Sequence, residues 1–175
     1  MSSKLIIAID PSSGVTSPVG VAVMTSDLTV MDTVALMPKE RYKVVEKRLV
    51  CLHEQLEAYL IPFVTVAIDS QMKIDIVLER FVMAGKTGQV LANAVGALIT
   101  SIPNHKSIAY HTVHNIVLKK VIAGTGKGDK VAVAKGLLKH LPATEHDLVI
   151  KLLNGRCYDQ LDAIALATCH IKGAE

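Results

Sequence analysis

"LIIAIDPSSGVTSPVGVAV", Leu5 to Val23, is the stretch whose reading decides the fold. Its first five residues are apolar and mostly branched, the pattern of a central strand buried on both faces. The run ends on a carboxylate, Asp10, and then Pro11, Ser12, Ser13 and Gly14 follow before the chain turns apolar again at Val19. The Pro, Ser and Gly suit a turn joining two strands. They do not require the acid. Taken alone, Asp10 fits an Asx-type turn as well as a site, because open α/β sheets form their ligand crevice where strands end.

Outward from this hairpin, "VGVAVM" (Val19–Met24) and "TVMDTVAL" (Thr29–Leu36) read as the next two strands. "RYKVVEKRLVCLHEQLEAYL" places Val45, Leu49, Leu52, Leu56 and Leu60 on one helical stripe. Two apolar runs follow, "FVTVAI" (Phe63–Ile68) and "IDIVLERFVM" (Ile74–Met83). From Thr87 to Ile102 the pattern is a helix that is apolar nearly all round, which must be covered on both sides. One side can lie on the sheet; covering the other predicts a homodimer through this element. "SIAYHTV" (Ser107–Val113) is a further strand, and helical patterns occupy 114–123, 129–141 and 157–171. The order predicts one domain over 1–175, a mixed sheet flanked by helices, of the α/β class.

A chain of 175 residues, half of them apolar, is long enough for one sizeable core and too short for two full-sized ones. No uninterrupted apolar run approaches the roughly 20 residues of a spanning helix, so no membrane partner is expected. A strand begins directly after "MSSK", leaving no room for a signal peptide. Cys51, Cys157 and Cys169 cannot all pair and lack metal-ligand spacing, which suits a reducing cytoplasm. Net charge is +3, but its distribution says more. Between His114 and His140 stand Lys119, Lys120, Lys127, Lys130, Lys135 and Lys139 against a single acid, Asp129. Such a face fits a polyanion, although a solvated helix surface looks similar. "AGTGKG" lacks the ending of a Walker loop, and the seven histidines show neither zincin nor finger spacing.

Three more acids violate local expectation. Alternation in "IDIVLERFVM" puts Asp75, Val77, Glu79 and Phe81 on one strand face, where a carboxylate is costly unless a cation compensates it. In "YDQLDAIALATCH", Asp159 and Asp162 share a helix face. Asp159 could serve the helix start, whereas Asp162 lies on the stripe with Ala165, Leu166 and Cys169. Clusters of hard oxygen ligands suit Mg²⁺ or Mn²⁺. Two such ions roughly 4 Å apart clamp the attacking and leaving oxygens of a phosphodiester.

These segments resemble a family. "IAIDPSSGVTSPVGVAV", "LERFVMAGKTGQVLANAVGAL", "LKKVIAGTGKGDKVAV" and "YDQLDAIALATCH" occur in the order found in RuvC-type Holliday-junction resolvases of the ribonuclease H-like superfamily, which includes phage-encoded members. The resemblance implies a ribonuclease H-like mixed five-stranded sheet and a Mg²⁺-dependent endonuclease, with Mn²⁺ able to substitute. Its expected action is to resolve four-way DNA junctions by paired nicks in recombination and repair. It implies metal-binding carboxylates at Asp10, Glu79, Asp159 and Asp162, and active-site lysines at Lys119 and Lys130. Lys120, Lys127, Lys135 and Lys139 would hold DNA, with Phe81 at the junction centre. Branched DNA, a second copy of the chain and a branch-migration helicase are the partners it admits, in the cytoplasm of a bacterium or a phage-infected host. The sequence departs from the family at Ser12, where Gly usually follows "DP", and in a hairpin about two residues longer. "VAIDSQ" (Val66–Gln71) also resembles the strand of the second carboxylate, leaving Asp69 as the alternative to Glu79. Other ribonuclease H-like substrates, an actin-like nucleotide site and a lysine-based DNA-binding module without chemistry are the competing readings.

Overall fold

A computed structural model describes residues 4–11, 18–37, 45–80, 95–96 and 99–173. Phe81 and most of the expected dimer helix therefore lie outside the described residues, as does Ser12. The described strands are β1 (Lys4–Asp10), β2 (Val19–Thr25), β3 (Val30–Leu36), β4 (Lys73–Arg80) and β5 (Ile108–His114). The helices are α1 (Val45–Asp69), α2 (Asn115–Ala123), α3 (Lys130–His140), α4 (His146–Asn154) and α5 (Tyr158–Ile171). The sheet runs β3-β2-β1-β4-β5. β2 is antiparallel to both β1 and β3, while β1, β4 and β5 are parallel. This is the expected mixed five-stranded sheet, with helices on both faces.

Side-chain alternation divides the core into two layers. Ile6 and Ala8 of β1, Ala22 and Met24 of β2, and Val77 of β4 face α5, with α2, α3 and α4 packed beyond. Ile7, Ile9, Val21, Ile74 and Ile76 face α1. Each residue of Leu5–Ile9 is at most 3% exposed, as the uninterrupted apolar run requires. α5 sits centrally because Ala163, Ala165 and Ala167 let it come close to the sheet. α3 and α2 touch through Gly136, where an added Cβ would stand 2.0 Å from the Ile122 carbonyl oxygen.

Two expectations change. Phe63–Ile68 is not a separate run but part of the C-terminal end of α1, whose stripe continues from Leu60 through Val64 to Ala67. Pro62 does not end the helix, and it lies on the exposed face. α4 was not apparent in the sequence; it buries Val149 and Leu152. By length and composition alone, Lys47–Asp69 also meets the requirement for a membrane-crossing helix. Its Leu52, Leu56, Leu60 and Val64 stripe seats on the sheet.

All three cysteines are free thiols. Burial pushes the Cys169 thiol up to about 11, whereas Cys51 and Cys157 are half-buried. Thiolate is the reactive form, so a disulfide reagent near pH 8 should count two thiols in the folded protein and three after denaturation. Equal reactivity of the third would mean that α5 opens readily from the sheet.

Candidate active site

β1 and β4 are neighbouring parallel strands, with Ile9 paired to Leu78. Asp10 and Glu79 come next on each, just beyond the last paired residues of two strands that run about 4.8 Å apart. Both fall on the α5 face, because Ala8 and Val77, two residues earlier, pack against α5. The helix brings its own acid to the same place. Asp10 is paired with Gly20, and the backbone of Asp159 rests directly on Gly20, so the first turns of α5 overlie the end of β1. Asp162 follows one turn later.

The result is a cavity of about 210 Å³ lined by Asp10, Glu79 and Asp162 together with Lys119 and Lys130. Asn115, Leu118, Asp129 and Leu166 contribute to its wall. Asp10 is buried, with 7% of its surface exposed. Lys130 forms an ion pair with Asp162, the lysine side chain about half exposed and the aspartate side chain much less so. α3 places this lysine by its start: Asp129 caps the helix by accepting from the Ala132 amide at 2.8 Å, leaving Lys130 in the first turn. The single acid of the basic segment is thus a helix cap. Asn115, which opens α2, donates from Nδ2 to Glu79 Oε1 at 2.6 Å and fixes that carboxylate.

Among the described lining residues, the potential ligands are carboxylate oxygens and one amide. That donor set fits a hard divalent cation such as Mg²⁺ or Mn²⁺ better than zinc, and Asp10, Glu79 and Asp162 are the residues that would hold it.

No protein-family model and no curated protein matches the sequence. Solved structures do match. Over 95% of this chain and 92% of theirs, the similar structures are Thermus thermophilus RuvC, at 15% identity, and T. thermophilus RuvC in complex with Holliday junction substrate, at 17%. Both give a TM-score of 0.58. The chain has a RuvC-like fold.

Within this RuvC-like fold, the remaining sequence candidates sort by position. Asp159 lies in the first turn of α5, half-buried, and does not line the cavity. Asp69 is the exposed last residue of α1, near the amino end of β4 and thus at the opposite end of that strand from Glu79. The strand expected to carry it is helix, so the cavity takes Glu79 and not Asp69. Lys120, Lys127, Lys135 and Lys139 are exposed outside the cavity on α2, the following loop and α3. Sequence reading missed Asn115, whose only signal is an amide side chain directly after β5.

It also missed a second cluster. Asp75, on the same face of β4 as Glu79 but near the other end, meets His111 of β5 and His170 of α5. Burial alone would raise the Asp75 carboxyl. Hydrogen bonds from His170 and Lys4 outweigh it and hold the group below the usual carboxylate range.

Proposed function

We propose that this chain is a divalent-metal-dependent endonuclease that resolves four-way DNA junctions. The observation that carries the reading is the convergence of Asp10, Glu79 and Asp162 with Lys119 and Lys130 on one cavity. A cavity of about 210 Å³ has room for a phosphate group with water beside it, since one water takes about 30 Å³ of liquid. Divalent ions held by the carboxylates would supply an activated water and charge stabilisation at the leaving oxygen. Asn115 keeps Glu79 oriented toward that work. The Lys130 side chain, about half exposed, can swing from Asp162 to an entering phosphate oxygen, and Lys119 offers a second positive charge. Asp159 would act from beside the cavity. The exposed lysines of α2 and α3 would hold the DNA arms, making binding sensitive to salt.

The substrate class comes from the similar structure solved in complex with Holliday junction substrate. A homodimer would present two cavities to two strands of like sequence, giving paired nicks. Three free thiols agree with a reducing cytoplasm as the place of action. The test is incubation of the full chain with synthetic four-way junctions, forks, plain duplex and RNA–DNA hybrid, each with Mg²⁺ or with a chelator. Paired nicks in the junction, absent under chelation, are the expected result. Preferential cutting of the hybrid would move the reading to another ribonuclease H-like activity. Junction binding with no cleavage under Mg²⁺ or Mn²⁺ would overturn the enzymatic reading.

A further inference from the structure

We propose that Asp75, His111 and His170 form a second metal site, for a borderline transition ion of the zinc class, at the sheet edge opposite the carboxylate cavity. The three side chains come from the start of β4, the middle of β5 and the last turn of α5. One donor atom from each lies within 4.8 Å of the others. Asp75 Oδ2 is 3.1 Å from His170 Nε2, and Asp75 Oδ1 is 3.5 Å from His111 Nε2. Donors bound tetrahedrally at 2.0–2.1 Å stand about 3.3 Å from one another, so these separations need only small adjustment. The imidazole rings lie side by side, centroids 4.4 Å apart, and both turn Nε2 to the same carboxylate.

Burial adds an independent argument. Among the described residues, His111 Nε2 is shielded from solvent and makes no hydrogen bond; its 3.5 Å approach to Asp75 Oδ1 is an ion-pair contact only. A buried polar atom without a partner costs stability, and coordination would satisfy it. Asp75 itself is 4% exposed. Two imidazole nitrogens and one carboxylate favour zinc, cobalt or nickel over magnesium. The fourth position would open into an adjoining cavity of about 330 Å³ that Ser26 and Lys4 also line. Lys4 is the competitor: its ammonium sits 3.0 Å from Asp75 Oδ2, but the side chain is 43% exposed and can turn outward. A bound ion would pin the end of α5, whose other end carries Asp162 about 12 Å away along the axis.

The inference is independent of the nuclease reading and is tested without DNA. The 175-residue chain, in buffer with excess Mg²⁺ to fill the carboxylate cavity, is titrated with Zn²⁺ by calorimetry and with Co²⁺ by visible absorption. One saturable equivalent and the bands of a low-coordinate Co²⁺ are expected. His111→Ala or His170→Ala should weaken binding by more than the 10–100-fold that even an outer-shell partner is worth. Asp162→Asn should leave it intact, separating this site from the carboxylate cavity. Lys4→Ala should bind tighter than the native chain, a gain that misfolding cannot imitate. Absence of stoichiometric binding by the native chain, or binding that survives both histidine substitutions, overturns the proposal.

Discussion

Asp162→Asn should lower junction cleavage by about a thousand-fold or more while leaving junction binding and folding close to native. The substitution keeps size and shape and removes one charge from the cavity that Asp10 and Glu79 share. Groups that stabilise developing charge in a transition state are worth about 3–4 kcal/mol each, or two to three powers of ten in rate. A carboxylate that holds the metal also governs whether water is activated at all, which sets the loss at or beyond the upper end. The folding cost is small. Asparagine gives up an ion pair to a half-exposed lysine, a class worth about 0–1 kcal/mol. Asp69→Asn is the matched control, since Asp69 is an exposed helix end away from the cavity, and its rate should equal that of the native chain. Rates from single-turnover nicking, with binding measured separately under chelation, check both. Equal cleavage by Asp162→Asn and the native chain would remove Asp162 from the site.

How much of this arrangement the chain announces depends on whether the deciding contact is local. β1 was legible because burial on both faces leaves an unbroken apolar run, and Asp10 stood out against it. Glu79 stood out in the same way, as a charge among branched strand residues. Phe63–Ile68 misled because branched and aromatic residues, with a proline just before, have a strand's composition inside what is a helix. The better signal was spacing, since Leu60, Val64 and Ala67 continue the helical stripe at steps of four and three. The Asp75, His111 and His170 cluster was illegible for a different reason. Its members stand 36 and 59 residues apart, and they meet only because β4 and β5 pair in a register that sets Asp75 opposite Ala109, two residues from His111. No local pattern encodes a register. Asn115 is the same case: its side chain matters because β5 ends beside Glu79, with Val113 paired to that residue.

Gly20→Ala should damage the site from a distance, cutting cleavage about a hundred-fold and lowering the melting temperature. Gly20 lies in an extended strand that any residue could adopt, so the demand for glycine is one of space. An added Cβ would stand 2.0 Å from the Asp159 carbonyl oxygen and 2.5 Å from its carbonyl carbon, where ordinary contact begins near 3.4 Å. These are backbone atoms at the start of α5, and no rotamer change relieves the clash. The helix must lift by more than about 1 Å, or β2 must give way. Overpacking of this kind costs about 1–3 kcal/mol, which for a chain of this length lowers the melting temperature by about 2–12 °C. The larger consequence is geometric. Gly20 pairs with Asp10, so the displaced helix draws Asp162 away from the two strand carboxylates. Misplacement of about 1 Å at a reacting centre can cost a hundred-fold. Leu56→Ala separates that effect from instability. Leu56 is a fully buried residue of α1, on the other face of the sheet, and its truncation costs about 2–5 kcal/mol without touching the cavity. Assayed well below both melting temperatures, Leu56→Ala should cleave like the native chain while Gly20→Ala should not. Native-like cleavage by Gly20→Ala would show that the placement of Asp162 does not depend on the seat of α5 against β2.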